Sequence, residues 1–129
     1  MIVIDACVAV KWFIPEPLSD EAEALLEIAE LRVAPEHILA EVGEVLLRHY
    51  RRGTVTLDHA LQSVSALGQL VQLIPTRDLA SEAVRIAAEA SCTNYDALYV
   101  AASDLLTATL LTADTRLADQ LRLAHRSNQ

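Results

Sequence analysis

The chain has 129 residues, 53% of them hydrophobic and 22% charged, which is enough apolar area for one folded core and too little length for two. Eighteen acidic against ten basic residues give a net charge of −8, which excludes nucleic-acid binding through overall charge alone. Three glycines, four prolines and long stretches rich in Ala, Leu and Glu disfavour an all-β fold. We expect one domain over residues 1–129.

The first half of the chain predicts short strands separated by helices. An apolar, β-branched start suits a strand that is buried on both faces, and the prolines at 15 and 17 end the helical turn that follows it. Ser19 is the expected N-cap of the next helix. In chain order the predicted elements are a strand at 1–4, a helical turn at 6–13, a helix from Ser19 to about Leu31, and a strand at 32–34.

The second half continues the alternation of strands and helices. Gly53 is the expected C-terminal cap of the first helix in this half. The predicted elements are helices at 36–52 and 56–71, a strand fragment at 73–74, helices at 78–90 and 95–106, a strand at 109–112, and a helix at 115–123. Strands that alternate with helices predict a parallel sheet covered by helices.

Acidic residues follow two of the predicted strands. Asp5 follows the first strand and Asp114 follows the last, and the functional crevice of an open parallel sheet lies at the carboxyl ends of its strands. Each acid taken alone also has a structural explanation, because Asp is a favoured N-cap residue. Asp96 can likewise occupy the first turn of a helix for reasons of the helix dipole.

Glu41 is harder to explain as a surface residue. It lies at the edge of the apolar stripe of its helix, so we expect it to be half-buried. No Lys or Arg lies three or four residues away, so a partner must come from elsewhere if His37 is uncharged. Glu44, in contrast, points outward and has Arg48 four residues on, which predicts an ordinary surface pair.

Convergence of Asp5, Glu41, Asp96 and Asp114 would require a cation, because four carboxylates in one place repel one another. Carboxylate oxygens without Cys or His at ligand spacing favour Mg²⁺ or Mn²⁺ over zinc. Such an ion stabilises the charge that develops during hydrolysis of a phosphate ester and activates the attacking water. The four acids therefore predict a metal-dependent phosphodiesterase.

Four sequence blocks contain these acids: Val3–Val8 followed by Lys11–Phe13, then Pro35–Val42, Tyr95–Ala102 and Leu110–Leu117. In this order, across a chain of this length, they resemble the PIN-domain family of metal-dependent ribonucleases, especially the VapC-type toxins of toxin–antitoxin pairs. The sequence departs from that pattern at Glu44, where such toxins often carry Asn, and in its polar tail, His125–Gln129.

The resemblance implies a three-layer α/β/α sandwich with a short central parallel sheet. It also implies an endoribonuclease that acts as the toxin of a type II toxin–antitoxin system, forms a homodimer and is inhibited by a cognate antitoxin. The site would consist of Asp5, Glu41, Asp96 and Asp114 as ligands of Mg²⁺ or Mn²⁺, with Thr112 supplying a supporting hydroxyl.

Three basic residues are candidates for contact with an RNA backbone. Arg48 and Arg52 fall on the same edge of the helix as Glu41, and Lys11 lies in the first block. Bases at the C-terminus of a helix also complement its dipole, so the two arginines have a structural explanation as well.

No apolar run is long enough to cross a membrane and no leader sequence opens the chain, so we expect a cytoplasmic protein. Cys7 and Cys92 show no metal-ligand spacing and are predicted to be small core residues.

Two non-enzymatic functions compete with the nuclease. A phospho-acceptor receiver domain also gathers acids at strand ends, but it needs a lysine after a late strand, and the one lysine here is Lys11. A catalytically inactive binding partner would use the same acids to engage a basic peptide.

Overall fold

The structure, a computed structural model, describes residues 1–113. The strands are β1 (Ile2–Ile4), β2 (Arg32–Pro35), β3 (Gln72–Ile74) and β4 (Thr109–Leu111). The α-helices are α1 (Ala6–Val10), α2 (Ser19–Ala24), α3 (Ile38–Arg51), α4 (Leu57–Leu70), α5 (Ala80–Ala90) and α6 (Asn94–Leu106), and a 3₁₀ turn covers Thr76–Asp78. Asp114, the predicted last helix and the polar tail lie outside the described residues.

The four strands form a parallel sheet in the order β3-β2-β1-β4. The central strand β1 is fully buried, as its apolar β-branched sequence predicted. In register, Ile4 lies opposite Leu111, and Pro35 lies opposite Ile74. All four carboxyl ends therefore meet at one edge of the sheet.

Helices cover both faces of this sheet. The chain moves from β1 to β2 to β3 in one direction and then crosses back to place β4 on the other side of β1. Because crossovers between parallel strands are right-handed, this reversal places α5 and α6 on the opposite face from α3 and α4. In agreement, α3 packs against α1 and α4, while α5 packs against α6. The predicted three-layer α/β/α fold is confirmed.

Most helix ends follow from local chemistry. The hydroxyl of Thr56 caps α4 by accepting the backbone N–H of His59 at 3.0 Å. At the end of α3, Gly53 has φ +77°, and its N–H donates to the carbonyl oxygen of Tyr50 at 2.9 Å. The N–H of Thr54 donates to the carbonyl oxygen of His49 at 3.0 Å, which completes a Schellman motif.

The prediction that Ser19 caps α2 is wrong. Leu18 occupies the N-cap position, and Ser19 is the first helical residue. The Ser19 hydroxyl instead closes the preceding turn by accepting the backbone N–H of Glu16 at 2.9 Å. The sequence correctly located the start of the helix but not the residue that caps it.

The prediction that this helix extends to about Leu31 is also wrong, because α2 ends before Leu25. Side chains from outside this helix donate hydrogen bonds to the backbone carbonyl oxygens at its C-terminal end. The indole N–H of Trp12 donates to the carbonyl oxygen of Ala22 at 2.7 Å, and the guanidinium of Arg32 donates to that of Leu25 at 3.3 Å. Tertiary hydrogen bonds thus override a strong local helix propensity.

Two further helices, α5 and α6, end at residues other than glycine in the left-handed region. Ser91 has φ +55° and Thr107 has φ +50°. The two cysteines differ from expectation, since Cys7 is exposed and Cys92 is only partly buried. Within residues 1–113, none of the helices combines the length and the apolar character that a membrane crossing requires.

Candidate active site

Asp5 follows β1 directly at the carboxyl edge of the sheet. The residue is only 4% exposed, and its Oδ1 accepts the backbone N–H of Val8 at 3.0 Å, which caps α1. Its own backbone N–H donates to the carbonyl oxygen of Leu111 at 3.3 Å. The capping explanation is therefore correct, and the cap fixes this carboxylate between β1 and β4, where the strand order reverses.

Thr112 follows β4 at the same point. Because Ile4 is paired with Leu111, the next residues of the two strands, Asp5 and Thr112, lie beside each other. Thr112 is partly buried. The supporting role that the resemblance implied for its hydroxyl stays a prediction. Asp114 lies two residues further on, outside the described residues.

Glu41 lies in the first turn of α3, and its side chain is 35% exposed, as the hydrophobic stripe predicted. Its Oε1 accepts the hydroxyl proton of Tyr99 at 2.9 Å. The same oxygen lies 2.7 Å from Nε2 of His37. Glu41 thus has two partners, His37 and Tyr99. Tyr99 comes from α6, on the other face of the sheet.

Tyr99 is the buried donor that Glu41 accepts from. The residue is 2% exposed. Burial raises the pKa of the Tyr99 hydroxyl far above its ordinary value, and the negative charges of Glu41 and Asp5 raise it further, against a smaller opposing effect of the Ala6 backbone N–H. The hydroxyl therefore stays protonated and remains a donor at every physiological pH.

The pKa of Glu41 is below its ordinary value. Burial alone raises this pKa, because it disfavours the charged form. Hydrogen bonds from His37 and Tyr99, with the charge of His37, outweigh that effect and lower it. Glu41 is therefore ionised at neutral pH, as a ligand for a cation must be.

Asp96 occupies the first turn of α6 and is partly buried. Its backbone N–H donates to the Thr93 hydroxyl at 3.1 Å, so Thr93 is the N-cap of α6. Asp96 precedes Tyr99 by three residues and so lies on the same face of α6. The Tyr99 hydroxyl donates to Glu41, so this face of α6 is turned toward Glu41.

The donor chemistry of these three described acids fits a hard cation. Asp5, Glu41 and Asp96 offer carboxylate oxygens, which Mg²⁺ and Mn²⁺ prefer. Among residues 1–113, however, no three Asp, Glu, His or Cys side chains lie close enough together to enclose a metal ion. Mg²⁺ needs only one or two protein carboxylates, since it retains several waters. The convergence of all four acids, with Asp114, stays a prediction.

The predicted RNA-contacting residues differ in their availability. Arg48 and Arg52 are exposed near the C-terminal end of α3. Lys11 is only 13% exposed, and its ammonium pairs with Glu16 at 3.2 Å. The expected surface pair between Glu44 and Arg48 does not form, although both residues are exposed within the described part of the chain. Arg48 is therefore not neutralised by Glu44.

Sequence reasoning missed two residues of this site, His37 and Tyr99. His37 was considered as a neighbour of Glu41 that could be uncharged, but its side chain is only 13% exposed and its ring lies 4.8 Å from that of Tyr99. The spacing of four residues between His37 and Glu41 was a visible signal. No sequence signal joined Tyr99 to Glu41, because 58 residues separate them.

These features define an α/β protein with an acidic site at the carboxyl edge of a parallel sheet, at the reversal of strand order. The family model described as PIN domain matches residues 2–122, and the chain belongs to the PIN-domain family. The sequence-based recognition of this family is confirmed, and the receiver-like alternative is not favoured.

The chain is similar to other members of this family. It is 29% identical over 122 residues to Ribonuclease VapC3 of Pyrobaculum aerophilum, covering 92% of this chain and 93% of that protein. The crystal structure of PAE2754, also from Pyrobaculum aerophilum, superposes with a TM-score of 0.73 at 20% identity, over 99% of this chain and 90% of that one. Mycobacterium tuberculosis VapC20, a Sarcin-Ricin loop cleaving toxin, gives a TM-score of 0.73 at 16% identity, over 92% and 94%. These two structures support the fold.

Proposed function

We propose that this chain is a metal-dependent endoribonuclease that hydrolyses RNA phosphodiester bonds and acts as the toxin of a type II toxin–antitoxin system. The observation that carries the proposal is the buried Asp5 carboxylate at the carboxyl edge of the sheet, where the strand order reverses, together with the ionised Glu41 that the Tyr99 hydroxyl holds at 2.9 Å. Membership of the PIN-domain family and the likeness to a protein named as a ribonuclease support the same activity.

In this proposal Asp5, Glu41, Asp96 and Asp114 hold Mg²⁺ or Mn²⁺, and the Thr112 hydroxyl supports them. The bound cation would neutralise the developing charge on the phosphate and favour ionisation of the attacking water. The protein contributes an edge at which the Asp5 carboxylate is fixed by the cap of α1. It also keeps Glu41 ionised through two hydrogen bonds.

Binding of RNA to a chain with net charge −8 requires local positive charge. Arg48 and Arg52 supply it, because they are exposed and lie about 10 and 16 Å along α3 from Glu41, at 1.5 Å per residue. Lys11 can contribute only if its pair with Glu16 opens.

The resemblance to VapC-type toxins adds a cognate antitoxin and a second copy of this chain as partners. It also adds the cytoplasm as the compartment. These assignments are part of the same proposal.

The test of this function is cleavage of a defined RNA with and without divalent metal. We expect cleavage to require Mg²⁺ or Mn²⁺, to stop on chelation, and to disappear in Asp5→Asn and Asp96→Asn. Asn is about as good a helix N-cap as Asp, so Asp5→Asn keeps the cap of α1 and should remain folded. Asp58→Asn, an exposed acid in the first turn of α4, is the matched control and should cleave normally. Undiminished cleavage in both site variants would rule out the proposal.

A further inference from the structure

Two hydrogen-bond donors meet on one oxygen of Glu41. The Tyr99 hydroxyl approaches Oε1 at 2.9 Å, and His37 Nε2 approaches the same atom at 2.7 Å. No hydrogen bond within residues 1–113 involves the other oxygen, Oε2. Two donors on one oxygen fix the rotation of a carboxylate, so Oε2 has a defined position and remains available to a ligand.

His37 also connects α3 to the first turn of α6. Its Nε2 lies 3.1 Å from the carbonyl oxygen of Tyr95, the residue before Asp96. Both neighbours of Nε2, this carbonyl and the Glu41 carboxylate, are acceptors, so Nε2 must carry the proton. One ring nitrogen thus ties the helix that carries Glu41 to the turn that carries Asp96.

The two donors also support each other. The rings of His37 and Tyr99 lie 4.8 Å apart with a tilt of 51°, and Nδ1 of His37 is buried with no hydrogen-bond partner among residues 1–113. A buried polar atom without a partner is costly. Nothing in the packing alone explains why a histidine, rather than an apolar residue, occupies this position.

We propose that His37 and Tyr99 are positioning residues that hold Glu41 by one oxygen and so set its second oxygen, and its spacing from Asp96, for binding of the catalytic cation. This inference rests on the proposed nuclease function. Neither residue contacts the reacting atoms. Their role is to make the acidic site rigid before the metal arrives, and outer hydrogen-bonding partners of metal ligands act in this way.

The first experiment measures Mn²⁺ affinity in the absence of RNA, by calorimetry or electron paramagnetic resonance. Loss of an outer hydrogen-bonding partner typically weakens metal binding about 10- to 100-fold. We expect a loss in this range for Tyr99→Phe, which keeps the ring and its packing, and for His37→Ala. Tyr50→Phe and His59→Ala are matched controls, since both residues are exposed, and they should bind Mn²⁺ with unchanged affinity.

A double-mutant cycle separates positioning from general packing. If Tyr99 acts through Glu41, then adding Tyr99→Phe to Glu41→Gln should change Mn²⁺ affinity less than about twofold. A packing role would weaken binding to the same extent in both backgrounds. Raising the Mg²⁺ concentration should restore most of the cleavage rate of Tyr99→Phe, because the cation site is weakened but its ligands are intact.

The inference and the nuclease function fail in different ways. Wild-type protein that binds Mn²⁺ and cleaves RNA, with Tyr99→Phe and His37→Ala binding Mn²⁺ at wild-type affinity, would overturn the positioning role alone. Wild-type protein that neither binds Mn²⁺ nor cleaves RNA would overturn both. If His37→Ala does not fold, the Mn²⁺ affinity of Tyr99→Phe and the double-mutant cycle still test the positioning role.

Discussion

The two ends of α3 carry opposite charges in opposite surroundings. At the N-terminal end, Glu41 is half-buried and held by His37 and Tyr99. At the C-terminal end, Arg48 and Arg52 are exposed, and the helix is closed by Gly53. One helix thus combines a carboxylate held by two neighbours, suited to a small cation, with exposed positive charges suited to a polyanion. Substitutions at the first end should affect chemistry, and those at the second should affect binding.

The largest effect is expected for Glu41→Gln. A metal ion contributes several kcal/mol to the transition state of phosphoryl chemistry, and each 1.36 kcal/mol is a factor of ten. We therefore expect cleavage at limiting Mg²⁺ to fall at least about 10²-fold. The amide oxygen can still accept both hydrogen bonds, so the fold should persist. Glu44→Gln, three residues further along α3 and exposed, should leave the rate unchanged. Equal rates in wild type and Glu41→Gln would remove Glu41 from the site.

The second largest effect is expected for the arginines at the C-terminal end of α3. Charge reversal of both Arg48 and Arg52 to Glu should weaken RNA binding about 10-fold at low salt and flatten its dependence on salt, because each lost phosphate contact removes about one unit from that slope. The maximal cleavage rate should hardly change. Arg51→Glu is the control, since Arg51 lies in the same turn but about 80° around the helix from Glu41. Loss of maximal rate without loss of binding would contradict the division between the two ends.

A smaller effect is expected for Gly53→Ala. The residue has φ +77°, which costs an L-residue roughly 1–2 kcal/mol, although an added Cβ would meet no atom within 4 Å. We expect unfolding by denaturant to show a loss of about 1 kcal/mol with normal cleavage per folded molecule. Gly68→Ala has equal space but helical backbone, so it should stabilise α4 by up to about 1 kcal/mol. Effects of the same sign at both glycines would refute this account of the helix end.

The smallest effect is the acid sensitivity of the metal-free protein. The pKa of Glu41 is lower in the folded state than its ordinary value of about 4.3, so the charged carboxylate stabilises the fold above that pH. This contribution is lost as the pH falls through the folded-state pKa. The stability difference between wild type and Glu41→Gln, from thermal unfolding with chelator, should shrink as the pH falls from about 5 to 3. A difference that stays constant down to pH 3 would show that the hydrogen bonds do not favour the charged form.

The sheet and most helices could be predicted from the sequence because their causes are local. The apolar run before Asp5 gave β1, the glycine at 53 gave the end of α3, and strand and helix alternation gave the parallel sheet. The end of α2 could not be predicted. It depends on Trp12 and Arg32, whose side chains reach the carbonyls of that helix only after folding.

The candidate site, like the fold, could be predicted only in part. The four acids were identifiable because all of them fall within four sequence blocks and two of them, Asp5 and Asp114, follow predicted strands. The half-burial of Glu41 followed from its helical position. The link through Tyr99 was not, since it joins helices on opposite faces of the sheet. The charged residues of the candidate site could be identified from the sequence, whereas Tyr99, which donates a hydrogen bond to one of them, could be identified only from the structure.

The left-handed helix ends at Ser91 and Thr107 have a practical consequence for protein engineering. Glycine adopts this backbone without the penalty of an L-residue and is the usual choice at such positions. Ser91 is only five residues before Asp96, whereas Thr107 lies at the other end of α6, so glycine at position 107 offers a more thermostable scaffold without approaching that acid. Crystallisation of otherwise fragile inactive variants would benefit from that scaffold.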